Sequence, residues 1–510
     1  MMKNIVKYVI PLVLVIAIPF ILFIQKKETP IQKYDRAVQR VFNDFNPTGL
    51  SVAIVKDGEI FFEKSHGYKN AEAVTFVDNN DIFNIASCTK AFTAAGIGKL
   101  IEEGKLNWDD KVIQYIPNLK LADNYITNNL TIKDILSHRT GFGTFYGDLL
   151  WYNTNYTNEE VIKRMQYIPI IYDFRTQFGY QNNMYMIAGE IIEKISGQSW
   201  EDFIFQNFLS PLEMTDTRMS IDQFDGTEEM AYPHFNDSLI GIYNFEATKA
   251  AASIWSSTRD LANWAIMLLN KGTYKNEQIL NPETIRTLFS PQTILSVSEE
   301  RESFGIHFRN YALGWSTYDY NNCKIVEHNG GMPGFISKVA LIPEENMAVI
   351  ILNNGFDTYG NTALFYSIVD IATDRFTNNW IEYYLSKKAE SDQQQKKFND
   401  ERIATKDTNI LTTISMNDFK GMYKDKMYGE AEIKLVDGKI HCTLLPAKKI
   451  FTSEMKHWNK DTYRVDFKDP FLPYGLVTFE SDKFDLVTGF KIDLPSHDFH
   501  FKNLYFKKIH

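Results

Sequence analysis

Apolar positions along the chain change their spacing several times, and each change marks a new element. Residues 5–24 are apolar throughout except for Lys7. At about 1.5 Å per helical residue this run reaches about 30 Å, the thickness of a bilayer core. From 34 to 45 the pattern is helical, and 50–55 and 60–64 then read as strands joined at Asp57-Gly58, a hairpin signal. A helix follows over about 87–103. The stretch from about 105 to 300 reads as mostly helical with loops, and Thr131-Ile132-Lys133-Asp134 has the form of a capping box. Met184, Ile187, Ala188, Ile191, Ile192 and Ile195 repeat at helical spacing up to Gly197, a helix stop. Strand patterning returns at 324–327, 336–342 and 347–352, and a closing helix is predicted over 361–375. Strands at both ends of a helical middle imply one sheet built from distant segments, with a helical insertion beside it.

Beyond this body the pattern weakens. Residues 387–406 are charged and nearly free of large apolar side chains, which reads as a linker helix. After about 415, short alternating segments at 430–435, 439–444, 463–467 and 476–479, with Asp437-Gly438 as a turn, predict a small all-β domain. The predicted organisation is an N-terminal membrane anchor or signal segment (1–28), a main body (33–378), a charged helical linker (379–411) and a β domain (412–510).

The apolar run lies behind Lys3 and Lys7, as a secretory signal does, and not within a core. Phe20-Ile21-Leu22-Phe23-Ile24-Gln25-Lys26 offers no small-x-small cleavage site, and no cysteine follows that could carry a lipid. A retained transmembrane helix is therefore favoured over a cleaved signal. The short N-terminal tail makes an outward-facing body the natural orientation, so the expected location is membrane-anchored with the body extracytoplasmic.

Composition narrows the function classes. With 44% hydrophobic and 14% aromatic residues the chain can fill a core. Its net charge of −10 repels a phosphate backbone and leaves no global case for nucleic-acid binding. Cys88, Cys323 and Cys442 are too few and too scattered for a disulfide framework or a thiolate metal site. His497 and His500 form the one closely spaced histidine pair, read as part of a polar loop entering the last strand; neither a metal nor any other cofactor is expected.

Three short motifs carry candidate chemistry. Ser87-Cys88-Thr89-Lys90 opens a helix, where free N–H groups and the positive dipole end lie beside the serine and a lysine three residues on returns to the same face. Serine needs a neighbouring base, and Lys90 serves only if its pKa falls well below about 10.4. Ser453-Glu454-Met455-Lys456 has the same form but sits in the β-rich tail with no helix behind it. Tyr180-Gln181-Asn182 stands just before the 184–195 helix, and Tyr-x-Asn recurs at Tyr68, Tyr156, Tyr274, Tyr320 and Tyr359, so context must select it. His328-Asn329-Gly330-Gly331 lies between two predicted strands, where glycines let a strand edge approach a ligand closely.

In this order and context the three motifs resemble the serine β-lactamase and penicillin-binding-protein superfamily, in its class C-like branch. The resemblance covers about 33–378 and extends to supporting segments such as Phe83-Asn84-Ile85-Ala86-Ser87 and Leu136-Ser137-His138-Arg139-Thr140-Gly141-Phe142. It implies an antiparallel sheet flanked by helices, plus a helical subdomain. The tail is similar to the lipocalin-like β domain of some of these hydrolases.

The resemblance makes Ser87 the acylated nucleophile and Lys90 its base, with Tyr180 protonating the leaving group. Asn182 would hold Lys90 and bind substrate. His328, Asn329, Gly330 and Gly331 would line the substrate, with the N–H groups of Ser87 and Gly331 as oxyanion donors. Cys88 reads as a small core residue. Histidine at 328 stands where dedicated β-lactamases carry lysine, and Asn329 replaces threonine or glycine, so no fixed charge awaits a substrate carboxylate there. The expected activity is serine hydrolysis through an acyl-enzyme, on an ester, amide or D-amino-acid-containing peptide and not primarily on β-lactams. A penicillin-binding sensor or peptidoglycan-binding protein, acylated without efficient turnover, is the alternative of a different class. The expected partners are a small-molecule or peptide substrate and the membrane, with oligomeric state unassigned.

Overall fold

The computed structural model describes residues 28–224, 229–243, 246–412 and 414–509. The apolar run at 5–24, read above as a membrane anchor, lies outside them. Among the described residues no helix is long and apolar enough to cross a membrane.

A nine-stranded antiparallel sheet forms the centre of the body. Its spatial order is Thr293–Leu295, Arg309–Tyr311, Ser316–Tyr320, Cys323–Met332, Phe335–Ile342, Met347–Asn353, Gly49–Lys56, Glu59–Asn70 and Thr75–Phe76. The earliest strand, Gly49–Lys56, pairs with the late strand Met347–Asn353, which closes the sheet from segments about 300 residues apart. Strands buried along their whole length, such as Phe335–Ile342 and Met347–Asn353, are covered on both faces. One face packs against the helices Pro30–Phe45, Thr358–Thr373 and the start of Trp380–Ala404. The other packs against Thr258–Leu269 and the helical region between the two strand groups.

The helix Thr89–Glu102 runs through that region with almost every residue to Leu100 buried. Its Ala- and Gly-rich sequence explains this, because small side chains let neighbours approach from all sides. Asn182–Ser196 packs beside it and ends at Gly197, which adopts φ 73°. The capping box at Thr131 forms as the sequence predicts. Much of 105–300, however, is loop and short turns of helix.

Trp380–Ala404 is a single 25-residue helix. Trp380 and Ile381 are buried in the body at one end, its middle is exposed, and Arg402 at the other end donates to the Tyr474 and Asp493 carbonyls of the tail. A helix that is polar along its middle is what bridging two cores requires. The tail is a closed antiparallel barrel of eight strands, from Gly421–Asp425 to Phe506–Lys508. Closure removes the sheet edges that so small a β unit would otherwise expose.

The barrel docks on the body. Tyr152 and Tyr243 donate to the two oxygens of the buried Asp469 carboxylate at 2.6 and 2.9 Å. The Tyr156 hydroxyl donates to the Tyr428 carbonyl at 2.6 Å, and Phe499 lies with its ring centroid 4.0 Å from that of Tyr152.

Candidate active site

Ser87 sits in a tight turn, Ala86–Cys88, immediately before the buried helix. The turn is built locally: the Asn84 side chain accepts the Ala86 N–H at 2.7 Å, and Ala86 is held at φ 45°, a region that non-glycine residues rarely adopt. It is also pinned to the sheet. Ser337 donates to the Ile85 carbonyl at 2.7 Å, and the Cys88 thiol donates to the His328 carbonyl at 3.2 Å. Burial pushes the Cys88 thiol up to about 11, which removes it as a rival nucleophile and matches its reading as a core residue.

Lys90, one turn on, is completely buried. Its Nζ lies 3.2 Å from Ser87 Oγ, 2.7 Å from Asn182 Oδ1 and 3.0 Å from the Ala251 carbonyl. Burial brings its pKa down to about 7, against the opposing pull of Asp148. The rings of Tyr180 and Tyr185 stand 4.8 and 5.4 Å from Nζ. Tyr180 reaches the site from the loop before the Asn182–Ser196 helix, where Thr144 accepts its N–H at 3.2 Å. Burial raises its phenol well above the usual value, and the Ser87 hydroxyl facing it opposes that shift.

The third motif continues the strand predicted at 324–327 and forms the second half of one long strand, Cys323–Met332. Two glycines are usually a break. Here Gly330 is needed for close approach, since a Cβ would meet the Ile85 carbonyl and Ser337 Oγ, each at 2.2 Å, and the reversal comes later, at Pro333-Gly334. His328 is buried on this strand, with Nδ1 2.7 Å from the Asn329 carbonyl and Nε2 2.9 Å from the Tyr311 hydroxyl. A carbonyl can only accept, so Nδ1 carries the proton and Nε2 accepts from Tyr311. Burial, with Lys90 nearby, lowers its pKa to about 3 and keeps the ring neutral. Asn329 and Gly331 are exposed towards the cavity.

Ser87, Tyr180, Asn182 and 328–331 all line one cavity of about 490 Å³, a volume suited to a small ligand or a short peptide segment. The decoy motif is elsewhere: the Ser453 hydroxyl donates to the Glu454 carbonyl at 2.7 Å, and Lys456 pairs with Asp466 at 3.5 Å. Sequence reasoning missed several groups at the cavity. Asp148 is buried and accepts the Asn182 amide N–H at 2.7 Å, and burial raises its pKa to about 8. His138 is buried against Tyr180, with centroids 4.3 Å apart, and its Nδ1 accepts the Gln181 N–H at 3.1 Å. Lys338 lines the cavity but is paired with Glu327 at 2.6 Å. The barrel supplies a wall through His497, Asp498 and Phe499, while His500 donates to the Thr144 carbonyl at 2.9 Å. The segment around His138 and the pair His497 and His500, read as part of a polar loop, carried a sequence signal; the others depend on contacts between remote segments.

Comparison with known proteins agrees with this geometry. A family model described as Beta-lactamase matches residues 38–372, and one described as a domain of unknown function (DUF3471) matches 405–508. The chain is 31% identical over 375 residues to Unguisins hydrolase ungD' of Aspergillus campestris, covering 69% of this chain and 68% of that one. It is 26% identical over 338 residues to Protein flp of Staphylococcus aureus, covering 63% of each chain. Among solved structures, the octameric penicillin-binding protein homologue from Pyrococcus abyssi shares the fold with a TM-score of 0.60 at 22% identity, over 93% of this chain and 99% of that one. With a matching family model over most of its length, and Ser87 paired with the buried Lys90, the chain belongs to the Beta-lactamase family of serine hydrolases.

Proposed function

We propose that the protein hydrolyses an ester, an amide or a D-amino-acid-containing peptide through an acyl-enzyme on Ser87. The observation that carries this reading is the buried Lys90, brought to about pKa 7 with Nζ 3.2 Å from Ser87 Oγ. A neutral amine has two N–H donors and one lone pair. With the Asn182 amide oxygen and the Ala251 carbonyl taking the two donors, the lone pair is left to face the serine hydroxyl and accept its proton. The serine oxygen then attacks the substrate carbonyl, and the N–H groups of Ser87 and Gly331 stabilise the resulting oxyanion. The proton returns to the leaving group through Tyr180. A water, deprotonated by the same network, releases the acyl group.

Neutral His328 leaves no cation at that motif, and Lys338 is neutralised by Glu327, which supports a substrate not chosen by its carboxylate at this edge. The similarity to an Unguisins hydrolase supports turnover over permanent acylation. The apolar run at 5–24 supports a membrane-anchored protein with its body outside the cytoplasm.

The test is a panel of chromogenic esters, D-aminoacyl amides, D-alanyl-D-alanine peptides and a chromogenic cephalosporin, run on the wild type and on Ser87→Ala. The expected result is turnover of an ester or amide that Ser87→Ala abolishes, with acylated Ser87 found by mass spectrometry. Labelling that persists without turnover would establish the sensor reading instead. Undiminished activity in Ser87→Ala would sink the nucleophile.

A further inference from the structure

We propose that Asp148 is a positioning residue for the acylation machinery: its carboxylate holds the Asn182 amide so that the oxygen end, not the nitrogen end, faces Lys90. This rests on Lys90 acting as the base of Ser87. An asparagine amide is nearly symmetric in shape, so its neighbours decide which end points where. Asn182 Nδ2 donates to Asp148 Oδ2 at 2.7 Å, and its Oδ1 lies 2.7 Å from Lys90 Nζ. Above its raised pKa of about 8 the Asp148 carboxylate only accepts, which forbids the flipped amide; below it the carboxyl still offers an acceptor oxygen to the amide N–H but no longer excludes the flip. In the flipped state an N–H would point at Nζ and compete for the lone pair that must face Ser87.

Asp148 is well placed for the task. It sits in the turn Asp148–Leu150, is 2% exposed and lines the cavity on the Asn182 side. It reaches Lys90 through one side chain, and where it is ionised its negative charge favours the protonated lysine. The other groups facing this trio are Cys88 from the nucleophile turn, His328 from the late strand, His138 and Tyr180 from loops of the helical region, Tyr185 from the Asn182–Ser196 helix, whose phenol burial keeps protonated, and Asp498 from the barrel. Burial holds Cys88 and Tyr180 protonated and both histidines neutral near pH 7, and Asp498 is paired with His497 at 2.8 Å. Lys90, at about 7, and Asp148, at about 8, are therefore the groups that change charge near neutral pH, one on each side of Asn182.

Two variants of the full chain test this, followed by pre-steady-state acylation with a chromogenic ester across pH 5–9. Asp148→Leu removes the acceptor, and its plateau acylation rate is expected to fall at least about 10-fold with a smaller change in KM. Asp148→Asn keeps an acceptor oxygen but not the charge. It should retain an intermediate rate but, having no proton to lose, should lack the further rise between about pH 7 and 9 that ionisation of Asp148, raised to about 8, adds to the wild-type limb. A merely structural role would lower the melting temperature without changing the limb. Folded variants with the wild-type plateau and limb would overturn the proposal; if Asp148→Leu does not fold, the limb of Asp148→Asn decides. Wild-type protein that is never acylated on Ser87 would instead overturn the hydrolase reading beneath it, and those two failures are distinguishable.

Discussion

Lys90 concentrates the energetics of the site. A lysine in water is protonated at neutral pH and useless as a base; enclosure by the helical region makes the charged form expensive and brings its pKa to about 7. Since the proposed base works only when neutral, activity should rise as pH passes upward through about 7 and fall away on the acid side. The same shift has a stability consequence. An unfolded lysine stays protonated to about pH 10.4, so between about 7 and 10 the unfolded state binds more protons and folding stability should increase with pH. Lys90→Arg keeps a cation in place but cannot lose its proton, so kcat should drop by about 10²–10⁴-fold with no acid limb centred near 7, measurable by a pH–rate profile. At this scale the sequence was informative about identity. Ser87, Lys90, Tyr180 and Asn182 meet at the cavity as the motifs suggested, whereas Asp148 carried no signal because a lone aspartate acquires meaning only from the amide it faces.

Among the elements, the strand Cys323–Met332 runs further than the 324–327 its pattern predicts. Two consecutive glycines argue against a strand on propensity, yet the backbone passes straight through them because the nucleophile turn presses against that strand. Adding a methyl at Gly330 places it 2.2 Å from both the Ile85 carbonyl and Ser337 Oγ, in contact with the turn that carries Ser87. Gly330→Ala should therefore cost about 1–3 kcal/mol of stability and at least 10-fold in acylation rate. Gly331→Ala meets nothing closer than Ile336 Cδ1 at 3.6 Å and should fold with a melting temperature near that of the wild type. Thermal denaturation of the pair separates the two; equal melting temperatures would contradict the packing argument. The long helix Trp380–Ala404 was legible for the opposite reason, since its charged middle has no core to serve and its sequence says so.

Across the whole molecule the barrel and the body share a site. Tyr152 links them twice, through its hydroxyl to Asp469 and through its ring to Phe499, which itself lines the cavity. Phe499→Ala should lower stability by about 3 kcal/mol, as expected for a buried aromatic truncated in a packed interface. It should also open the cavity wall and relax discrimination between small and bulky acyl groups, read as a change in the ratio of kcat/KM values for the two. An unchanged ratio would mean that the wall does not touch substrate.

Local spacing in this chain pointed to Ser87, Lys90, Tyr180 and Asn182 as candidates, to the helix stop at Gly197, and to a β unit after a charged helix, because these depend on neighbours a few residues apart. It did not determine how far the late strand runs, that an aspartate accepts the Asn182 amide N–H, or that the barrel forms part of the cavity wall. Those arise from packing between segments as much as 350 residues apart, such as His500 against Thr144, and burial by those distant segments is also what brings Lys90 into the pH range where it can work.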